Sequence, residues 1–195
     1  GVDTYQGNGG TQTLQGFGFT PSMIWFKGRT VAYDHGLYDI LRGGTSLLYP
    51  NLTQTETITA DGIQSFDSDG VTVGSNNKAN ASNSTYVAWA WKANSLPSIN
   101  TDGTIQSIVS ANQAAGVSIV KYTTTIDARV GHGLSQAPQI VLQKTLSSVN
   151  AFFFANNLVS GTDNWEYMEM NDTNAQTTNW TYWDGVEAPN ATTFK

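Results

Sequence analysis

Hydrophobic and polar residues alternate with a period of two in short runs along most of the chain, and helical periodicity is almost absent. Because successive side chains of a strand point to opposite faces, this pattern predicts β-strands. The runs are separated by glycine, asparagine and aspartate, which is typical of an all-β sandwich or barrel. The predicted strands are MIWFK (23–27), GVTVG (70–74), TYVAWAWK (85–92), TIQSIV (104–109), VSIVKY (117–122), QIVLQK (139–144), AFFFA (151–155) and WEYMEM (165–170). The dipeptides Asp61-Gly62, Asp69-Gly70, Asp102-Gly103 and Asp184-Gly185 predict hairpin turns.

The segment TYVAWAWK places Val87, Trp89 and Trp91 on one face, and Tyr86, Ala88 and Ala90 on the other. A tryptophan pair of this kind can either form a stacking platform for sugar rings or fill the inside of a sheet. Burying each tryptophan would remove about 200 Å² of surface from water. We therefore expect the face with Trp89 and Trp91 to belong to the core.

The chain contains a weak internal repeat with an offset of 117 residues. SMIWFK after Pro21 reappears as QIVLQK after Pro138, and further on NLT at 51–53 has a partner in NDT at 171–173, where the offset has grown to 120. Self-similarity of this kind predicts two diverged copies, 1–94 and 117–195, joined by the connecting segment 95–116. The second copy has no counterpart of SDGVTVG or YVAWAWK, so we expect the natural chain, or a neighbouring chain, to supply its closing strands.

A set of motifs in fixed order resembles a known family of repeated domains. They are YQGNGGTQTLQGFGFTPSMIWFK, LYDILRGG, SFDSDGVTVGSN, YVAWAWK and NTDGTIQSIVSANQAAGVSIVKYT, and they cover nearly the whole chain. The set resembles virion and tail-fibre-like domains of marine and cyanobacterial phages. The resemblance implies a concanavalin A-like, laminin-G-like jelly-roll sandwich carried on the particle surface, with other virion subunits as partners and no assigned activity.

Composition excludes several classes of protein. The chain of 195 residues has a net charge of -6, only 12% charged residues and no run of basic residues, which argues against binding to nucleic acid or anionic membranes. Cysteine is absent, so neither disulfides nor thiolate metal sites can form.

Catalytic residues are difficult to find. Glu166 and Glu169 are close in sequence but face opposite sides of a strand, whereas a glycosidase needs two carboxylates across one sugar. The only candidate bases for a serine triad are His35 and His132, and neither is near a nucleophile elbow. We therefore expect a protein that is not an enzyme, with a glycan-degrading tailspike as the enzymatic alternative.

Two kinds of binding site have sequence support. Asp67 and Asp69 in DSDG place two carboxylates before a glycine turn, which favours calcium, although a plain hairpin explains the same residues. No other cofactor is expected. Loops with exposed aromatic rings and amides favour sugar binding, and the predicted contacts are Tyr33, His35, Trp180 and Trp183. The alternative for the last loop is a strand with Trp180 facing inward.

Together these patterns predict a virion surface protein, in a tail fibre or another appendage, that is a homo-oligomer and binds carbohydrate of the host envelope. Linked copies would raise the avidity of weak sites by about 10² to 10⁴. The alternative is a purely structural capsid-decoration or tail-scaffold protein.

Overall fold

The computed structural model describes residues 1–93, 96–156, 166–174 and 188–195. Within them the chain is all-β, apart from helix α1 (Asn77–Asn80), and every pairing between two of its strands is antiparallel. The strands are β1 (Val2–Gln6), β2 (Gln12–Gln15), β3 (Met23–Gly28), β4 (Gly36–Asp39), β5 (Gly43–Leu48), β6 (Thr57–Ile58), β7 (Ile63–Asp67), β8 (Gly70–Val73), β9 (Thr85–Trp91), β10 (Ser98–Asn100), β11 (Ser107–Asn112), β12 (Val117–Tyr122), β13 (Val130–Gly131), β14 (Ile140–Gln143), β15 (Phe153–Asn156), β16 (Glu166–Glu169) and β17 (Thr193–Phe194). None of the described residues form a helix of the length and apolarity that crossing a bilayer requires.

Each of the eight predicted strands overlaps an observed one, and TIQSIV is displaced by three residues because β11 begins at Ser107. The Asp69-Gly70 turn joins the paired strands β7 and β8, and Asp102-Gly103 lies between the paired strands β10 and β11. The hairpin predicted at Asp61-Gly62 is wrong, because β6 pairs with β5 and β7 pairs with β8. Asp184-Gly185 lies outside the described residues.

The first half of the chain forms two sheets that enclose one apolar core. The larger sheet has the strand order β1-β9-β3-β4-β5-β6, and the smaller has the order β2-β8-β7. The smaller sheet contributes Leu14, Val71 and Val73 to this core. The larger sheet contributes Ile24, Phe26, Tyr38, Leu47, Ala88 and Ala90. Apolar side chains of both sheets therefore meet across a sandwich.

Strand β9 faces the core with its small side chains, so the prediction that Trp89 and Trp91 lie in the core is wrong. Ala88 and Ala90 are buried, whereas both tryptophans are half-buried on the opposite face of the sheet. The register explains this orientation, because Ala88 pairs with Phe26 and the next strand adds Tyr38. The rings of Phe26 and Tyr38 meet edge to face at 6.2 Å and fill the space beneath β9.

A buried arginine holds the end of the β4–β5 hairpin. The Arg42 side chain donates to Asp39 at 2.6 Å and to Glu56 at 3.1 Å, and its remaining N–H groups reach the backbone oxygens of Leu37 and Ser46. Burial of an arginine is tolerated when its donors are satisfied in this way. The Glu56 backbone N–H then donates to the Leu146 oxygen at 3.0 Å, which links this corner to the second half of the chain.

The described residues of the second half form three smaller sheets. Their strand orders are β10-β11-β12, β13-β17 and β14-β15-β16. The last of these, which we call the second-half sheet, buries Phe153, Ala155 and Tyr167 on one face. Further hydrogen bonds join the two halves, including Asn150 N–H to the Thr53 oxygen at 2.9 Å.

The orientation of β9 predicts that two similar substitutions differ in their effect on stability. Ala88→Leu should lower the free energy of unfolding by about 1 to 3 kcal/mol, because the added carbons have no space beside Phe26. Val87→Leu, one residue earlier on the half-buried face, should change it by less than about 0.5 kcal/mol. Urea denaturation measures both values. Equal losses in the two variants would contradict the assignment of the faces.

Candidate ligand-binding site on the outer face of the large sheet

The face of the large sheet that points away from the sandwich core, here called the outer face, carries a transverse row of apolar side chains. The register places Val2 beside Trp89, Trp89 beside Trp25, Trp25 beside Leu37, and Leu37 beside Leu48. One residue from each of five adjacent strands thus lies in line, and we call this set the aromatic row.

The two ends of the aromatic row have different surroundings. At the β4–β5 end, Leu37 and Leu48 are buried together with Phe152 from the second half of the chain, and Leu146 and Met170 pack against this cluster. At the β1 end, Val2 is 65% exposed. The exposed end of the row consists of Val2, Trp89 and Trp25, with both indoles half-buried.

Trp25 is held by an aromatic neighbour on each side. Its ring lies edge to face with Trp89 at 6.1 Å and is tilted against the His35 imidazole at 5.7 Å. Its Nε1–H donates to Nδ1 of His35 at 3.0 Å. The indole is therefore fixed in orientation, as a recognition surface requires.

The β3–β4 loop places His35 through a chain of polar contacts. The His35 backbone N–H donates to Asn51 Oδ1 at 2.9 Å, the Asn51 amide donates to Asp34 at 3.1 Å, and Lys78 lies 3.9 Å from Asp34. Burial, and next the positive charge of Lys27, lower the pKa of His35 below its ordinary value of 6.5, against an opposing effect of Asp34. The imidazole is therefore neutral at pH 7.

A neutral imidazole that accepts through Nδ1 carries its proton on Nε2. No described residue accepts a hydrogen bond from His35 Nε2 in this part of the molecule. The exposed end of the aromatic row is therefore bordered by a free N–H donor. Lys27, which follows Trp25 on the same face of β3, adds an ammonium group that donates to the backbone oxygen of Tyr33 at 3.0 Å.

Of the four predicted sugar contacts, two lie within the described residues. Tyr33 and His35 share the β3–β4 loop, but the exposed Tyr33 ring faces Lys78, whose Nζ is 5.6 Å from the ring centroid. The structure thus places Tyr33 against α1 and His35 against Trp25. Trp180 and Trp183 lie outside the described residues, and their predicted roles stay predictions.

The two predicted metal ligands, Asp67 and Asp69, accept hydrogen bonds from the protein. The Asp69 carboxylate accepts from the backbone N–H of Gly16 at 3.1 Å and of Gly18 at 2.6 Å, and Asp67 accepts from the Thr72 hydroxyl at 2.8 Å. Both glycines have positive φ, so the loop that Asp69 closes has a shape that favours glycine. Within the described ranges, no three His, Cys, Asp or Glu residues cluster as metal ligands do. The calcium site stays a prediction.

His132 is a structural residue, as its place between two glycines predicts. Nδ1 accepts from the Leu134 backbone N–H at 3.1 Å, and Nε2 lies 3.1 Å from the Asn190 backbone oxygen. The ring is buried, and burial lowers its pKa. Both ring nitrogens are thus occupied by backbone groups, so this histidine is not placed to act as a base.

A polar cleft of about 710 Å³ lies elsewhere, between the ends of β9 and β11. Lys92, Asn112 and Gln113 line it, and Phe19 is its one aromatic residue. Asn112 and Gln113 already donate to backbone oxygens of Lys92 and Gly133. The outer face therefore has the richer set of aromatic and polar groups.

Sequence reasoning missed Trp25 and Trp89 as surface residues. A usable signal existed in β3, where Lys27 shares a face with Trp25 while Ile24 and Phe26 share the other. Because a lysine is seldom buried, its position marks the side of the sheet that faces solvent. The register then carries this information from Trp25 to Trp89.

The chain was compared with family models, curated proteins and solved structures. The family model described as "Domain of unknown function (DUF7483)" matches residues 2–195. No curated protein and no solved structure matches the chain.

The proximity of Lys27 to His35 predicts a measurable change in titration. Lys27→Met should raise the pKa of His35, because a like charge that disfavours the imidazolium is removed. NMR titration of the imidazole protons measures this pKa. The control is Lys121→Met, at an exposed lysine of β12. An unchanged His35 pKa in Lys27→Met would contradict the electrostatic coupling.

The lowered pKa of His35 in the folded protein also determines the sign of a pH effect on stability. Since the pKa of His35 is lower in the folded state, the unfolded chain binds more protons below about pH 6.5. This histidine therefore destabilises the fold as the pH falls through that range. His35→Phe should flatten this part of the curve of unfolding free energy against pH.

The contacts of Asp69 predict a loss of stability that does not depend on metal. Asp69→Ala should lower the free energy of unfolding by about 1 to 2 kcal/mol, because two loop N–H groups lose their acceptor. Thermal unfolding in calcium and in EDTA separates the two roles. Equal losses in both buffers support the loop role, and a loss seen only in calcium would instead make Asp69 a metal ligand.

Proposed function

We propose that this chain, which belongs to the DUF7483 family of domains of unknown function, is a non-enzymatic β-sandwich module that binds saccharide at the exposed end of the aromatic row. The observation that carries the proposal is the pair Trp25 and Trp89, half-buried and edge to face on the outer face of the large sheet. The pair has a fixed geometry and a neutral N–H donor beside it.

The chemistry of this surface fits a neutral or weakly acidic sugar. An indole offers an apolar face to the C–H groups of a sugar ring, and its rigidity keeps the entropy cost of binding small. The Nε2–H of His35 can donate to a ring or hydroxyl oxygen, and the Lys27 ammonium can do the same at the edge. Oriented polar groups around an apolar face give a site its specificity.

The engagement of the acidic side chains supports a non-enzymatic role. Asp39 and Glu56 bind Arg42, Asp34 binds Asn51, and Asp69 binds two backbone N–H groups. The oxygens of these carboxylates therefore accept hydrogen bonds that stabilise the fold. A hydrolase would need a carboxylate or imidazole directed at the substrate with a tuned pKa.

The two-copy organisation belongs to the same proposal and is supported by repeated hydrogen bonds. Lys27 Nζ donates to the Tyr33 oxygen, and Lys144 Nζ donates to the Asn150 oxygen, at the same offset of 117. The His35 N–H donates to Asn51 Oδ1 at 2.9 Å, and the Phe152 N–H donates to Asn171 Oδ1 at 3.4 Å. These residues are the counterparts that the sequence repeat assigns.

Strand pairing supports the same correspondence. The order β3-β4-β5 matches β14-β15-β16, and β2 pairs with β8 as β13 pairs with β17. Met23 and Ile140 begin equivalent strands at an offset of 117, as do Gly36 and Phe153. The correspondence is incomplete at two points. The counterpart of β8 is β17, which is only two residues long. Strand β12, at the position of β1, pairs with β11 of the connecting segment, whereas β1 pairs with β9. A jelly-roll arrangement of each copy is part of this proposal.

The biological setting that we propose is the surface of a phage particle, and the resemblance of the motif set to virion domains is its support. Weak saccharide contacts suit such a setting, because many copies on one particle raise avidity. The structural alternative is a capsid-decoration or tail-scaffold protein without a ligand. The enzymatic alternative is a tailspike that cleaves host glycan.

A matched pair of variants tests the site. Trp89→Ala should weaken saccharide binding by about 5- to 30-fold, which corresponds to about 1 to 2 kcal/mol for a lost aromatic contact. Trp91→Ala removes an indole from the same face of the same strand, beside Met23 rather than Trp25, and should leave binding unchanged. Glycan-array screening identifies the ligand, and calorimetry on the two variants measures its affinity.

Other outcomes separate the alternatives. No binding to any glycan, even by multivalent protein, together with location among capsid or tail subunits by electron microscopy, would favour the structural role. New reducing ends after incubation with host polysaccharide would favour the enzyme. Equal loss of binding in Trp89→Ala and Trp91→Ala would move the site away from the exposed end of the row.

A further inference from the structure

A lysine, a carboxylate and an asparagine amide meet beside the β3–β4 loop. The Asn51 amide donates to Asp34 Oδ1 at 3.1 Å. The Lys78 ammonium lies 3.9 Å from the other oxygen of the same carboxylate, Oδ2. Asp34 therefore lies between an amine and a primary amide, the two groups that combine when an isopeptide bond forms.

The carbonyl of the Asn51 amide already has a backbone donor. The His35 N–H donates to Asn51 Oδ1 at 2.9 Å. A fixed N–H at this oxygen stabilises the negative charge that develops there when a nucleophile adds to Cγ. The two contacts also define the orientation of the amide, because only its NH₂ group can donate to Asp34.

The neighbours of Lys78 hold its amine at this place. The Lys78 side chain, on α1, is only 18% exposed. Its Nζ donates to Asn77 Oδ1 at 3.1 Å and lies 5.6 Å from the centroid of the Tyr33 ring, which covers one side of the amine. The Asp34 side chain is 38% exposed, so a small product can leave past it.

The second half of the chain keeps the asparagine contact without the carboxylate. The Phe152 N–H donates to Asn171 Oδ1, as the corresponding N–H does to Asn51. In the proposed repeat, Ala151 stands at the position of Asp34. Holding the loop through an asparagine therefore does not require a carboxylate, and the function of Asp34 is sought in its contact with the lysine.

We propose that Lys78 and Asn51 form an intramolecular isopeptide bond, with Asp34 as the proton carrier. This bond goes beyond the proposed function and does not depend on saccharide binding. The chain has no cysteine, so a disulfide cannot supply a covalent link between distant segments. An isopeptide bond supplies one without an oxidant.

The reaction balances without a cofactor. Asp34 Oδ2 takes a proton from the ammonium of Lys78, and the neutral Nζ adds to Cγ of Asn51, which forms the new C–N bond. The His35 N–H stabilises the oxyanion at Oδ1. Asp34 then gives its proton to the amide nitrogen of Asn51, the Cγ–Nδ2 bond breaks and ammonia leaves. The ammonia takes up the proton that the new amide nitrogen loses, so ammonium carries one positive charge away from the protein.

The bond would close a covalent ring over residues 51–78, which contain β6, β7 and β8. A cross-link of this kind stabilises mainly by restricting the unfolded chain. Lys78→Arg, which keeps the positive charge but cannot form the bond, should therefore lower the Tm by about 10 °C. Lys121→Arg, at an exposed lysine of β12, should leave the Tm unchanged.

Intact-mass spectrometry of the full chain tests the bond directly. The native protein should be about 17 Da lighter than its sequence mass, because one ammonia is lost. Lys78→Arg and Asp34→Asn should each have the full sequence mass, and Lys121→Arg should keep the loss. Asp34→Asn retains both the amine and the amide, so it separates proton transfer from the presence of the two partners. Circular dichroism checks that each variant folds.

Cleavage after aspartate and glutamate locates the bond. Between Asn51 and Lys78 the chain has the acidic residues Glu56, Asp61, Asp67 and Asp69. The unmodified chain therefore gives separate fragments for the two ends, whereas the cross-linked chain gives one branched fragment that contains both. Trypsin should also fail to cut after Lys78, because its amine is part of an amide.

Three results would overturn the inference. The first is native protein that keeps its full sequence mass after incubation at neutral pH until the mass is constant. The second is a loss of ammonia that persists in Lys78→Arg, and the third is a bond from Lys78 to Asn77. Because the mass is measured without any glycan, failure of the bond leaves the saccharide site standing, and failure of saccharide binding leaves the bond standing.

Discussion

The pairing of Ala88 with Phe26 and of Ala90 with Ile24 is the constraint on which the rest of the first sandwich depends. Phe26 and Tyr38 fill the space between the two sheets, so strand β9, which lies between β1 and β3, presents the small side chains of Ala88 and Ala90 there. Since strand side chains alternate, Trp89 and Trp91 must then face outward, while Tyr86 is buried on the same side as the two alanines. Trp89 is therefore on the outer face because Phe26 and Tyr38 leave no space for its indole in the core. The position of the candidate site is a direct consequence of this packing.

An apolar outer face creates a second requirement, because exposed apolar area favours association. The chain meets this requirement at the β4–β5 end of the aromatic row by packing Phe152 against Leu37 and Leu48. The β1 end is left for a ligand in our proposal, with Trp25 at the boundary between the two uses. In our proposal, one continuous row of side chains therefore serves both as an interface inside the molecule and as a recognition surface.

The sequence predicted the class of fold well and the orientation of β9 poorly. Period-two alternation identifies a strand, and the strands at 23–27, 85–92 and 117–122 were placed nearly at their observed bounds. In β9 both faces are apolar, so the alternation of residues does not distinguish the buried face from the exposed one. Only the partner strands decide which face of β9 lies inside. Strands β2 and β5 were missed, because their stability comes from pairing and not from their own residues. In the candidate site, His35 is also one of the residues predicted from the sequence, whereas its contact with Trp25 depends on a loop that is held through Asn51.

The comparison of equivalent positions in the two halves indicates how one scaffold can serve two purposes. At positions that the proposed repeat makes equivalent, the first half has His35, whose Nδ1 accepts from Trp25, and the second has Phe152, buried against the first half. The backbone around both is held in the same way, by an asparagine that accepts their N–H groups. A fixed loop therefore presents either a polar ring or an apolar one. In our interpretation, the polar ring faces a ligand and the apolar ring holds the halves together, so the divergence of the copies divides binding from assembly.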